Sequence, residues 1–122
     1  AQILTLHAPL TDLTRNLVQG DTLRRFRQLK LLVNAARGPM VNLPDLVQAL
    51  EQNVLEGACL DTLPIENPQN WDKEWMDRLL AHPRVVVSPH VAGWTVESYR
   101  AISEVLADKI LTHLQQSTKP IR

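Results

Sequence analysis

Four short runs of near-continuous apolar residues punctuate the chain, at about Gln2–Leu6, Lys30–Ala35, Leu55–Leu60 and Arg84–Ser88. Runs this short, without alternating polar positions, suit strands covered on both faces, as in a parallel sheet. Between them the apolar positions change to helical spacing. Asp21 is placed to cap a helix reaching about Gln28, with Leu23, Phe26 and Leu29 as its apolar face. Asn42 opens a second helix, in which Leu43, Leu46, Val47, Leu50 and Val54 recur every three or four residues. Asp45 falls in its first turn, where a carboxylate meets the positive end of the helix dipole. After a loop around Pro68, the segment Trp71–Ala81 is compatible with a helix carrying Trp71, Trp75 and Leu79 on one side. Thr95 opens the longest helix, to about Gln115, with Val96, Tyr99, Ile102, Leu106 and Ile110 at spacings of three and four. The tail Ser117–Arg122 is expected to fray.

Strands alternating with helices predict an α/β domain with right-handed crossovers, half of a doubly wound parallel sheet with helices on both faces. A length of 122 residues fits one such unit, and 44% apolar with 21% charged residues is ordinary globular composition. The 13 basic and 13 acidic residues cancel, so no net field points to nucleic acid or an anionic membrane. The densest basic cluster, Arg24-Arg25-Phe26-Arg27, reads as the solvated side of a helix. Cys59 is the one cysteine, which excludes an internal disulfide framework, and its apolar setting predicts a small core residue. No apolar run approaches the ~20 residues of a membrane span, and a cytoplasmic protein is expected. The chain opens on a strand-like run without an initiator Met, and we expect a fragment of a longer protein.

Three polar residues follow the last three strand runs. Arg37 succeeds Leu31–Ala36, Glu66 stands beyond the turn after Gly57–Leu60, and His90 follows Val85–Pro89. In an open parallel sheet, ligands sit outside the carboxyl ends of the strands, so all three would share a binding edge. Singly, each has an ordinary reading as an ion-paired Arg, a solvated loop carboxylate and a loop histidine. As a set they are chemically coherent. A carboxylate bonded to an imidazole fixes its tautomer and favours the protonated form, which can deliver a proton. An Arg beside it presents a planar fork to a substrate carboxylate and polarises the adjoining carbonyl. That combination suits reversible reduction of a 2-oxo acid. Asp61 closes the third run, where an Asp either caps the following turn or accepts a hydrogen bond from a cofactor amide.

The segments Leu6-His7-Ala8-Pro9-Leu10-Thr11, Val33-Asn34-Ala35-Ala36-Arg37-Gly38, Leu60-Asp61 with Glu66, and Ser88-Pro89-His90-Val91-Ala92-Gly93 stand in an order and spacing that resembles the D-isomer-specific 2-hydroxyacid dehydrogenases. The resemblance runs to about residue 111. It implies that residues 1–122 are the C-terminal part of a Rossmann-type NAD-binding domain. It further implies that Arg37 binds the substrate carboxylate and carbonyl, that His90 is the acid/base, and that Glu66 supports His90. Asp61 would contact the nicotinamide carboxamide, with backbone at Ala35, Ala36 and Gly93 near the cofactor. Arg37 and His90 would border the cofactor as well, and His7 and Pro9 would line the ribose and nicotinamide side of the groove. The continuation Gly93-Trp94-Thr95-Val96-Glu97-Ser98 is similar to the phosphoglycerate-dehydrogenase-like branch.

By this resemblance the cofactor is NAD, the partner a small 2-hydroxy or 2-oxo acid, 3-phosphoglycerate among the candidates, and the assembly a homo-oligomer such as a dimer. No metal, nucleic acid or membrane is expected. The chain departs from the family in two ways. Glu66 is followed by Asn67-Pro68 and a Trp-rich insertion instead of an acidic-proline pair. Gly20, Gly38, Gly57 and Gly93 cannot form G-x-G-x-x-G, so the phosphate-binding turn is missing from these residues, as is the substrate domain. The same absence leaves NADP open, and the 122 residues alone are expected to bind NAD weakly and to lack turnover. The competing reading is a non-catalytic NAD-sensing or assembly module on the same fold.

Overall fold

The computed structural model describes residues 1–64, 69 and 72–117. Glu66, Trp71 and the tail after Ser117 lie outside them. The elements are β1 (Ile3–Leu6), α1 (Gly20–Arg25), β2 (Leu31–Asn34), a 3-10 turn at Gly38–Met40, α2 (Leu43–Glu51), β3 (Gly57–Leu60), α3 (Lys73–Leu80), β4 (Val85–Val87) and α4 (Val96–Ser117). They fall into two compact units, Ala1–Val91 and Ala92–Arg122.

In the first unit the four strands form one parallel sheet in the order β1-β2-β3-β4. Each crossover steps the same way, so right-handed connections carry α1, α2 and α3 to a single face. The burial pattern agrees. Leu6, Leu32, Asn34, Ala58 and Leu60, aligned by the register, are buried, whereas Ile3, Thr5, Leu31, Cys59 and Val86 on the alternate positions are exposed. The three helices of this unit lie on one face of the sheet. Cys59 points from the other and is exposed, which corrects the expectation of a small core residue. The core between sheet and helices gathers Leu32, Leu46, Leu50, Leu60, Met76 and Leu79, all fully buried, each contributing about 1.5–3 kcal/mol over exposure.

The helix ends explain where the sequence patterns stop. Asn42 caps α2 as expected, its Oδ1 accepting from Asp45 N at 3.1 Å. The helix ends at Glu51, ahead of Val54, because Asn53 takes a left-handed φ of 57° and Val54 N turns back to Ala49 O at 2.8 Å. Asp21 does not cap α1. It lies inside the helix, paired with Arg24, and the capping position is Gln19 without a side-chain bond. Asp45 instead reaches across, accepting from Gly20 N at 2.7 Å. Arg84 donates to Leu50 O at 2.5 Å and Leu55 O at 3.4 Å, tying the carboxyl end of α2 to the entry of β4. Asp72 caps α3, accepting from Trp75 N at 3.5 Å.

In the second unit Thr95 caps α4, its Oγ1 accepting from Ser98 N at 3.1 Å. Tyr99, Ile102, Val105, Leu106 and Ile110 are all more than half exposed along this helix.

Candidate active site

Parallel pairing in register brings the carboxyl ends of all four strands to one edge. His7 follows β1, Ala35 to Arg37 follow β2, Asp61 follows β3, and Ser88 to His90 follow β4.

The turn that carries Arg37 is built locally. Asn34, the last residue of β2, is fully buried. Its Oδ1 accepts from Ala36 N at 3.1 Å and its Nδ2 donates to Arg37 O at 3.0 Å. One side chain thereby pairs the Ala36 N–H, which would be costly to leave unpaired, and adds a second donor to Arg37 O, which also accepts from Met40 N at 3.2 Å. Gly38 comes next, and a Cβ there would lie 1.5 Å from Leu63 O and 2.9 Å from Pro64 N. Only a residue without a side chain lets the Arg37 turn lie against the backbone that leaves β3. The Arg37 side chain is exposed, with Nη1 donating to Ala36 O at 2.7 Å. His7 Nε2 and Thr5 Oγ1 are 2.7 Å apart. An open cavity of about 510 Å³ lies among His7, Pro9, Ala35, Ala36 and Arg37.

The turn that carries His90 is built across strands. His90 is exposed and takes a left-handed φ of 57°, which for a non-glycine residue costs on the order of 1 kcal/mol or more. Its N–H donates to Ser88 O at 3.0 Å. Asp61 is buried, and its Oδ1 accepts from Ser88 Oγ at 2.6 Å and from Val91 N at 2.9 Å. Asp61 N in turn donates to Asn34 O at 2.9 Å, linking the anchors of the two turns. A cavity of about 250 Å³ is lined by Asp61, Thr62, Leu63, Ser88, Pro89 and His90.

The structure thus brings His7, Pro9, Ala35, Ala36, Arg37, Asp61 and His90 to one edge. Glu66 lies outside the described residues, and Gly93 belongs to the second unit, where a Cβ would meet nothing within 4 Å. Two residues of the edge escaped the reading of the sequence, Asn34 as the anchor of the Arg37 turn and Ser88 as a partner of Asp61. The available signal was an Asn and a Ser at strand ends, where short polar side chains bond to nearby backbone.

Comparison with known proteins gives the family. Residues 1–92 match the family described as D-isomer specific 2-hydroxyacid dehydrogenase, NAD binding domain. The chain belongs to this dehydrogenase family. A D-lactate dehydrogenase of Streptococcus agalactiae is 36% identical over 113 residues, covering 85% of this chain and 34% of the relative. A D-3-phosphoglycerate dehydrogenase of Haemophilus influenzae is 32% identical, covering 91% of this chain and 27% of the relative. Among solved structures, the NAD-complexed D-isomer specific 2-hydroxyacid dehydrogenase of Lactobacillus delbrueckii ssp. bulgaricus aligns with a TM-score of 0.77 at 31% identity. That alignment covers 98% of this chain and 39% of the other. The chain spans about a third of the length of the curated relatives it matches.

Proposed function

We propose that the protein containing this chain is an NAD-dependent oxidoreductase acting on a D-2-hydroxy acid and its 2-oxo counterpart, with residues 1–122 forming the second half of its dinucleotide-binding domain. The observation that carries the reading is the single edge on which Arg37, Asp61 and His90 follow three adjacent parallel strands within a family NAD-binding domain.

The residues fit the nicotinamide end of such a cofactor. Ala35 and Ala36 keep the cavity beside His7 and Pro9 open, and the buried Asp61 carboxylate offers an acceptor for a carboxamide N–H beside the second cavity. Bound there, NAD(H) supplies or accepts the hydride. Arg37 holds the substrate carboxylate with its fork and draws charge from the 2-oxo carbon's oxygen. His90 donates a proton to that oxygen during reduction and withdraws it during oxidation. By the family resemblance, Glu66 is proposed to support the imidazolium. The sheet order is expected to reverse beyond β1, where the phosphate-binding turn would stand.

The substrate is a small 2-oxo acid, with lactate-type and phosphoglycerate-type acids the first to examine, since relatives of both kinds match. The protein is further proposed to be a cytoplasmic homo-oligomer, a dimer in the simplest case. No helix among the described residues is long and apolar enough to cross a membrane.

The test is NADH oxidation by the full-length protein against pyruvate, glyoxylate and 3-phosphohydroxypyruvate, with His90→Gln alongside. Turnover that falls at least ~100-fold in the variant, while NADH affinity stays within about twofold, is the expected result. Wild-type protein that binds NADH without oxidising it in the presence of any of these acids would favour the sensing module instead.

A further inference from the structure

Resting on the reading of His90 as acid/base, we infer that Asp61 and Ser88 act together as positioning residues for that histidine, a role separate from any contact Asp61 makes with the cofactor. The argument is geometric. His90 sits in a left-handed conformation between two residues that are both tied to one atom, Asp61 Oδ1. Ser88 Oγ reaches that atom at 2.6 Å from before the Pro89-His90 step, and Val91 N reaches it at 2.9 Å from after it. The carboxylate therefore brackets the strained residue from both sides.

The bracket has a fixed base. Asp61 is buried, its own N–H is held by Asn34 O at 2.9 Å, and Ser88 N donates to Leu60 O at 3.0 Å, so both ends continue the ladder of the sheet. With the backbone on either side pinned, the direction in which the imidazole leaves the edge is determined by the sheet itself. Proton transfer tolerates little error in that direction, and a displacement near 1 Å can cost up to about a hundredfold in rate. A residue before Pro with a hydroxyl is thus part of the site without touching substrate.

Ser88→Ala in the full-length protein separates this role from cofactor binding, because it removes one arm of the bracket and leaves the Asp61 carboxylate in place. We expect kcat to fall roughly tenfold, with NADH affinity and KM for the 2-oxo acid within about twofold, and Ser88→Thr to restore kcat through its retained hydroxyl. The His90 imidazole resonances, recorded without cofactor, should move in Ser88→Ala and return in Ser88→Thr. In the wild-type protein the Val91 amide should exchange with solvent more slowly than its exposed neighbours. Unchanged kcat together with an unmoved His90 spectrum, or an unprotected Val91 amide, would overturn the inference. If the wild-type protein reduces no 2-oxo acid, the proposed function fails, while the His90 spectrum and the Val91 amide still decide the bracket.

Discussion

The turns carrying Arg37 and His90 perform the same task by opposite means. Each holds an exposed side chain at the end of a strand by hydrogen bonds from a buried polar residue. For Arg37 the anchor is Asn34, three residues away in the same turn and neutral. For His90 it is Asp61, an acidic residue on the neighbouring strand's end, 27 residues from Ser88 and 30 from Val91 in sequence. The first turn needs no strain, whereas the second includes a left-handed histidine. A local anchor survives changes elsewhere in the sheet, and a cross-strand anchor makes the geometry of the His90 turn depend on β3 and β4 remaining in register.

The largest effect is expected where the local turn meets the other strand's backbone. Gly38→Ala would place a Cβ 1.5 Å from Leu63 O, and neither partner is a side chain that can swing away. We expect a loss of about 3 kcal/mol in urea unfolding, accompanied by shifted amide resonances both at Ala36–Arg37 and at Thr62–Leu63. Shifts confined to residues 36–40 would break the idea that the two turns are in contact.

Next in size is Asn34→Ala, which leaves Ala36 N without its partner and Arg37 O with Met40 N alone, at 3.2 Å. Losing these bonds should cost about 2 kcal/mol in the same unfolding measurement. Asn34→Asp retains the acceptor for Ala36 N but sets a carboxylate oxygen against Arg37 O, so it should recover only part of that loss. If the comparison is right, these variants disturb the Arg37 turn and leave the His90 imidazole spectrum nearly unchanged.

The same contrast explains what the sequence disclosed. The four strands, the Asn42 cap and the Thr95 cap were legible because each signal lies within a few residues of the element it starts. The positions of Arg37, Asp61 and His90 on one edge were legible because strand ends in a parallel sheet share a side. Cys59 was misread, since a strand's apolar run does not say which face its neighbours leave bare; that depended on the strand order carrying all three crossover helices to one side. Asp21 was misread because its competitor for the start of α1, Asp45, lies in another helix. The tie from Ser88 to Asp61 was invisible for the same reason, being a contact between residues far apart in the chain.

The smallest expected effect tests whether the two turns are also coupled through the helices that follow them. α2 leaves the Arg37 turn and α3 comes after Asp61 in the chain, and Arg78 joins them by donating from Nε and Nη2 to the two Glu51 oxygens at 3.1 and 2.6 Å. Arg78 also lies over the Trp75 ring, 4.2 Å from its centroid. The hydrogen bond from Arg78 holds the Glu51 carboxyl below its ordinary value of 4.5, with the nearby positive charges of Arg78 and His82 adding to the effect. A carboxylate depressed on folding stabilises the protein above its unfolded value, and that contribution disappears as pH falls through the folded value. Thermal melts of wild type and Glu51→Gln should therefore differ slightly at pH 7 and converge below about pH 4.5, the difference staying small because the pair is exposed. The substitution should leave the amide resonances of Ala36–Arg37 and the His90 imidazole unmoved. Movement at either would mean that the turns communicate through α2 and α3, beyond their direct links, the contact of Gly38 with Leu63 and the hydrogen bond from Asp61 N to Asn34 O.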